Sequence, residues 1–347
     1  MEEYMQIKAK RGNVVILVPL YKNMQDLYPI SELINRILEG LRQDIKTWFS
    51  IDVYNKINPE ILIEDTDDIN AFATKYEDKH IIALSRGLIQ FSYMEIIKWI
   101  KSPEFYSIYK LSDSNRDSYI EYLYRNMICF VIAHEMGHIA DGHIEAQSGM
   151  FCYIDELSEI KKQNNWESQL REYDADCFAT RICSLIRIQE VGDDKEYTIF
   201  EFDNLGIVLI LTFNLLSNSR KQYFEQYLNM EIASIDHPHP GIRMRYCMDV
   251  MLSELLKVWS EKDVFDIFKI IYDGIIRTDK FIYNKKEYKD CIYSISATEK
   301  GAQHIMNLVN GWNESIERYE EYAYIPLNKT ELLESYPVFV DNAGDFL

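Results

Sequence analysis

The sequence predicts an α+β protein that is mostly α-helical, with a small antiparallel sheet and a helical C-terminal part. Two short aliphatic runs, residues 61–63 and 81–84, flank a polar turn at 75–79, which is a pattern of neighbouring strands. Most of the remaining chain repeats apolar residues at intervals of three and four, the spacing of helices with one buried face. With 347 residues and 47% hydrophobic content, the chain is long and apolar enough to form a substantial core.

The predicted elements run from an N-terminal strand into a long series of helices. Their expected order is a strand at 13–18, a helix at 31–49, short strands between 52 and 85, and helices at 88–100, 118–140, 167–188, 200–216, 241–257, 262–277 and 298–320. We predict an N-terminal strand and helix at 1–55, a central domain at 56–257 and a helical extension at 258–347. One continuous domain is the alternative.

Composition limits the classes of protein to which the chain can belong. A net charge of −19 argues against binding the phosphate backbone of nucleic acids, which requires a basic surface. The longest apolar run, residues 205–216, is too short to span a bilayer and predicts a buried helix. The six cysteines have no disulfide-framework spacing, and the N-terminus has no signal-peptide pattern. We therefore expect a cytoplasmic protein with no membrane span and no nucleic-acid partner, of undetermined oligomeric state.

The run His134-Glu135-Met136-Gly137-His138 has the pattern HExxH within an apolar helix. Histidines four positions apart lie one turn apart on a single helix face, where both rings can bind one metal ion. Glu135, between them, is expected to take a proton from a metal-activated water and not to bind the metal. Both histidines continue the apolar stripe of their helix, where polar rings without partners are costly. Two satisfied core histidines are the alternative interpretation.

A catalytic zinc site needs a third protein ligand, and Glu172 is the candidate. Glu172 and Asp176 both fall on the apolar stripe of the next long helix, where buried carboxylates require a cation or hydrogen bonds. Asp176 is expected to accept a hydrogen bond from the distal nitrogen of a ligating histidine. Asp174 is interpreted as solvated. His143 is a rival ligand, which we interpret as a loop histidine beyond the helix stop at residues 141–142.

A third group of candidate residues lies at the predicted start of a later helix, in the run His237-Pro238-His239-Pro240-Gly241-Ile242-Arg243. A histidine held at a helix start could donate a hydrogen bond to the oxyanion of a tetrahedral intermediate, which makes His237 a candidate catalytic residue. Arg243, one turn inside the helix, could pair with a carboxylate. His239 with Arg245 fits the same spacing, so the sequence leaves two alignments open.

Taken together, residues 61–247 resemble the gluzincin metallopeptidases of the HtpX-like and CAAX-prenyl-protease type. The chain has HExxH, then ExxAD at Glu172 to Asp176, then HPxxxxR at His237 to Arg243. The resemblance implies a zincin-like domain with one Zn²⁺ bound by His134, His138 and Glu172. Many relatives of this type are embedded in membranes, which this sequence does not indicate. A more distant likeness, in function, is to the phage-exclusion peptidase Lit.

Upstream of HExxH, the run Asn70-Ala71-Phe72-Ala73 resembles the edge strand of that family. The resemblance implies that a protein or peptide substrate pairs with this strand as an additional strand. We therefore predict a zinc-dependent endopeptidase with Glu135 as general base. A catalytically silent zinc-containing regulatory protein and a zinc hydrolase of a non-peptide bond are the alternatives.

Overall fold

Helices make up most of the described residues, together with a two-stranded and a four-stranded sheet, so the predicted α+β, mostly helical class is confirmed. The computed structural model describes residues 6–11, 14–19, 30–76, 79–105, 115–146, 152–154, 165–217, 227–229, 231–232, 235, 237–282, 284 and 291–330. The helices are α1 (Ser31–Trp48), α2 (Ile51–Ile57), α3 (Arg86–Ile100), α4 (Arg116–Ala140), α5 (His143–Ala146), α6 (Asn165–Val191), α7 (Lys195–Ser217), α8 (Pro240–Leu255), α9 (Glu261–Ile282) and α10 (Glu299–Glu320).

The strands form two sheets within the described residues. β1 (Gln6–Arg11) and β2 (Val14–Pro19) form an antiparallel pair. β3 (Glu60–Glu64), β4 (Ala71–Tyr76), β5 (Lys79–Ser85) and β6 (Cys152–Ile154) form the second sheet, in the order β3-β5-β4-β6.

The second sheet is mixed, whereas the sequence predicts a purely antiparallel one. β4 and β5 form the expected antiparallel hairpin, but β3 pairs with β5 in parallel. The residues that link β3 to β4 place β4 two strand positions away from β3. Strand β5 then occupies the position between them. Ser85 fixes this link, because its hydroxyl accepts the Asn70 N–H at 3.0 Å and donates to the Asp68 carbonyl at 2.5 Å.

The two long helices α4 and α6 cross at the centre of the molecule, with their backbones in close contact at Gly137. A β-carbon at Gly137 would lie 3.0 Å from the α-carbon of Ala175 and 3.1 Å from the β-carbon of Phe178. Glycine at this position of HExxH therefore lets α6 approach the two histidines closely. The approach brings Glu172, about one turn before Ala175, towards them.

Helix α7 lies beside this pair and is buried along most of its length. It is the one helix of the described residues that is long and apolar enough to cross a membrane, and 78% of its most apolar window is buried inside the protein. This burial agrees with the interpretation of residues 205–216 as a core helix.

The C-terminal helix α10 packs against α6, and the segment after it reaches the end of α4 that carries HExxH. The Tyr324 N–H, just beyond α10, donates a hydrogen bond to the Ala140 carbonyl at 2.8 Å. The buried apolar residues form one continuous cluster from Ile34 in α1 to Trp312 in α10. The domain boundaries at residues 55 and 257 stay predictions.

Candidate metal centre

Three side chains meet in the buried space between α4 and α6. One ligand atom from each of His134, His138 and Glu172 lies within 4.8 Å of the others. The Nε2 atoms of the two histidines are 3.2 Å apart, and each is 3.5 Å from a carboxylate oxygen of Glu172. All three residues are at most 3% exposed.

This arrangement fits a divalent cation. The Glu172 Oε2 atom is buried and has no hydrogen-bond partner among the described residues. Such an oxygen is costly unless a cation or a donor compensates it. Two imidazole nitrogens and one carboxylate are also the donor set of catalytic zinc sites, which keep a further position for water or substrate.

Although the group is buried, its carboxylate and its imidazoles favour each other's ionised forms. Burial alone would raise the pKa of Glu172, but His237, His134 and His138 outweigh it and hold the pKa well below its usual value. Burial alone would lower the pKa of His134, but Asp176 and Glu172 outweigh it and raise the pKa to about 8. The site therefore holds an ionised carboxylate facing two imidazoles away from water.

Asp176 lies directly behind His134. Its Oδ1 is 2.9 Å from Nδ1 of His134, and Arg243 binds both of its oxygens at 2.8 and 2.9 Å. The Tyr246 hydroxyl donates to Oδ2 at 2.5 Å. Asp176 and Arg243 therefore meet beside His134. Tyr246 was not among the predicted site residues, although its position three residues after Arg243 indicates the same helix face.

His143 differs from its predicted place in a loop beyond the helix stop. It is fully buried at the start of the short helix α5, and its Nδ1 lies 3.0 Å from Nδ1 of His138. Gly142 ends α4 as expected, but its φ of +77° turns the chain back over the last turn of the helix. The helix stop was therefore recognised correctly, while the direction of the turn that follows it could not be read from the sequence.

Asp174 also differs from its predicted solvated position. Its side chain is 14% exposed, and its Oδ2 lies 3.2 Å from Nε2 of His143. Burial and the neighbouring carboxylate of Asp174 raise the pKa of Asp141 well above its usual value. Burial raises the pKa of Asp174 to about 6. The two carboxylates form a pair on the side of His143 away from the ligands.

The two possible alignments of the third motif differ in where their residues lie. His237 is 5% exposed, and its Nε2 is 3.6 Å from Oε2 of Glu172. His239 instead caps α8, because its Nδ1 accepts the Gly241 N–H at 3.0 Å. Arg245 pairs with Asp249 at 3.2 Å, away from the ligands. His237 and Arg243 are therefore the pair that faces the metal centre.

Glu135 is fully buried beside the ligands and next to β4. Neither carboxylate oxygen makes a hydrogen bond of normal geometry to a described residue. Burial raises the pKa of Glu135 to about 7, although His134, His138 and the backbone N–H of Ala73 act in the opposite direction. A buried carboxylate with its pKa raised to about 7 is suited to accepting a proton from a bound reactant.

The predicted substrate strand does not lie at a free edge of the sheet. Residues 71–73 belong to β4, with Asn70 immediately before it, and they pair with β5 on one side. On the other side β6 pairs with them antiparallel, with Ala71 opposite Ile154 and Ala73 opposite Cys152. The polar loop after HExxH thus supplies a strand at the position that was expected to be open.

An HExxH helix joined to a glutamate from a second helix defines a metallopeptidase. The model of peptidase family M48 matches residues 50–245, more than half of the chain, and the chain therefore belongs to this family. The match includes all three candidate ligands as well as Glu135, His237 and Arg243, and it confirms the predicted family. No curated protein and no solved structure matches the chain significantly.

Proposed function

We propose that this protein is a zinc-dependent endopeptidase with one Zn²⁺ per chain. The observation that carries the proposal is the buried group of His134, His138 and Glu172, whose ligand atoms lie within 4.8 Å of one another, with Glu135 beside it. Zinc in such a site would acidify a water molecule and polarise the scissile carbonyl. Its substrate is a protein or peptide, in keeping with membership of a peptidase family.

Glu135 acts as the general base in this proposal. Its carboxylate would take a proton from the attacking water and deliver it to the leaving amine. Support comes from its burial next to the ligands without a hydrogen bond of normal geometry to the described residues. His237 would donate a hydrogen bond to the oxyanion. Support comes from the position of its ring at the metal centre, with Nε2 3.6 Å from the Glu172 carboxylate.

Asp176 and Arg243 position the ligands without touching substrate. Asp176 would hold His134 in the tautomer that leaves Nε2 available for zinc. Arg243 in turn fixes Asp176 through two hydrogen bonds and neutralises its charge in the interior.

The substrate would pair with β4 through residues 71–73, close to Glu135. Because β6 pairs with the same residues, an incoming peptide must replace β6 at that edge. A cytoplasmic location and the absence of a nucleic-acid partner belong to the proposal and rest on composition alone.

The alternative of a catalytically silent zinc protein has less support. A structural zinc site normally has four protein ligands, and His143 was the plausible fourth in the sequence. Its Nδ1 instead contacts the non-ligand nitrogen of His138. The alternative of a non-peptide substrate is disfavoured by the family to which the chain belongs.

The test compares Glu135→Gln with the wild type. Zinc content is measured for both proteins, and new protein N-termini are profiled in cells that express each one. We expect the variant to keep its zinc and to lose about a hundredfold or more of its cleavage, since general-base catalysis contributes that much. Glu39→Gln, an exposed change on α1, is the control and should behave as the wild type. Cleavage by Glu135→Gln at the wild-type rate would refute the assigned base.

A further inference from the structure

The two histidine ligands have different partners behind them. Nδ1 of His134 faces the carboxylate of Asp176, whereas Nδ1 of His138 faces another imidazole, that of His143, at 3.0 Å. The nitrogens of His134 and His138 that face Glu172 are both Nε2. His143 contacts the other ring nitrogen of His138 and therefore lies outside the proposed ligand group. The proposed mechanism gives His143 no role.

The distance between the two rings determines which ring nitrogens carry a hydrogen at this contact. Two ring nitrogens 3.0 Å apart form a hydrogen bond only when one carries a hydrogen and the other does not. A His138 that offers Nε2 to a metal carries its hydrogen on Nδ1, so Nδ1 of His143 must accept it. The hydrogen of a neutral His143 ring is then on Nε2, which lies 3.2 Å from Oδ2 of Asp174.

Two aromatic side chains of the C-terminal helix α10 contact the ring of His143. The Trp312 ring centroid lies 5.5 Å from that of His143 at an interplanar angle of 84°, and the Tyr319 centroid lies 5.1 Å away at 71°. The backbone beyond α10 lies against Gly142, where a β-carbon would come within 2.6 Å of the Tyr322 carbonyl carbon. Two aromatic side chains of α10 thus pack against the His143 ring.

We propose that His143 is a positioning residue for the ligand His138, and that α10 influences zinc affinity through it. This proposal rests on the zinc site of the proposed function. The bond from His138 to His143 fixes both the ring plane and the tautomer of the ligand, as Asp176 does for His134. Partners of this kind commonly change metal affinity by about 10- to 100-fold.

The test measures zinc dissociation constants by competition with a chelating dye, on the full chain. His143→Phe keeps an aromatic ring between Trp312 and Tyr319 but removes the acceptor, and we expect about 10- to 100-fold weaker zinc binding. His143→Asn keeps an acceptor oxygen near the position of Nδ1 and should bind zinc within about threefold of the wild type. Thermal unfolding of the metal-free proteins verifies that both variants are folded.

A second pair of variants tests the contribution of α10. Tyr319→Leu removes one ring beside His143, and we expect a severalfold loss of zinc affinity. Tyr322→Leu, a change of a 40% exposed side chain close by, is the matched control and should leave zinc affinity unchanged. These variants also provide the test if His143→Phe fails to fold.

The outcomes separate this proposal from the proposed function. Equal zinc affinity of His143→Phe and the wild type would overturn the positioning role while leaving the metal site intact. An equal loss in His143→Asn and His143→Phe would overturn it as well, because packing would then set the affinity. A wild-type protein that binds no zinc would instead refute the metal site itself.

Discussion

At the scale of single residues, Asp176 has the largest role in organising the centre. Its two oxygens receive hydrogen bonds from Arg243 and Tyr246 and face a ring nitrogen of His134. Burial would raise the pKa of Asp176, but Arg243 and His134 outweigh it and lower the pKa. A carboxylate in the interior thus stays ionised because cationic and hydroxyl donors surround it.

A second carboxylate, Glu145, joins the chain after HExxH to the sheet and to the C-terminal segment. Its Oε1 lies 2.7 Å from Nε2 of His80, and it accepts a hydrogen bond from the Tyr324 hydroxyl at 2.8 Å. Burial would raise the pKa of Glu145, but these hydrogen bonds and the charge of Lys75 outweigh it and lower the pKa to about 2. The ionised form therefore stabilises the fold.

The lowered pKa of Glu145 predicts a pH-dependent contribution to stability. The contribution is complete above the unfolded value of 4.5 and disappears as the pH falls through about 2. Glu145→Gln should lower the free energy of unfolding by about 1–2 kcal/mol at pH 7, given the screening of a partly exposed group. Urea unfolding should give a smaller difference at pH 3, and an equal difference at both pH values would contradict the assignment.

Most residues of the candidate centre could be predicted from the sequence because helical spacing is local information. His134, His138, Glu172 and Asp176 needed only the three-and-four periodicity to fall on inward faces. His143 could not be placed in the same way, because its position depends on the left-handed conformation of Gly142 and on packing against a helix far along the chain.

At the scale of elements, the crossing of α4 and α6 depends on the missing side chain at Gly137. Gly137→Ala would gain about 1 kcal/mol of helix propensity but force a methyl group to 3.0 Å from the Ala175 backbone. Overpacking costs about 1–3 kcal/mol, so we expect a net loss of about 1 kcal/mol in stability and weaker zinc binding.

The control for this crossing is Gly40→Ala on α1. A β-carbon at Gly40 meets nothing within 4 Å, so only the helix propensity changes. Urea unfolding should give a gain of about 0.5–1 kcal/mol for this variant. A similar gain for Gly137→Ala would mean that the two helices have room to separate.

The pairing of β6 with β4 predicts how access of substrate depends on the loop after HExxH. Tyr153→Pro removes a backbone N–H from β6, and proline is poorly accommodated within a strand. A loss of about 1 kcal/mol in the pairing of β6 with β4 should lower KM for peptides about fivefold, with little change in kcat. Steady-state kinetics with a fluorogenic peptide measure both, and an unchanged KM would indicate that substrate does not compete with β6.

The elements that the sequence predicted poorly are those whose partners lie far away. β6 has only three residues inside a polar loop, too few for a periodic pattern. The parallel pairing of β3 with β5 depends on the anchoring of the link at Ser85, which a single strand does not encode. The long helices, by contrast, carry enough repeats to be located to within a few residues.

At the scale of the whole molecule, the metal is expected to contribute to stability, since its ligands come from two different helices. Chelation should lower Tm, because a ligand that binds only the folded state stabilises it by about 4 kcal/mol at a thousandfold excess over Kd. Glu172→Gln should unfold at this lower temperature with or without chelator, whereas Glu190→Gln, an exposed change on α6, should behave as the wild type. Calorimetry measures the Tm of the wild type and of both variants. A wild-type Tm that is insensitive to chelator would contradict the prediction.

The contact of α10 with His143 also has a consequence for biosynthesis. A ribosome completes the HExxH helix long before it reaches Trp312 and Tyr319, so the nascent chain lacks the rings that orient His143. If α10 positions His143 as proposed, the centre reaches its final geometry only after translation has passed residue 319. On the proposed role of His143, the candidate metal centre therefore matures only once α10 has been synthesised and has packed.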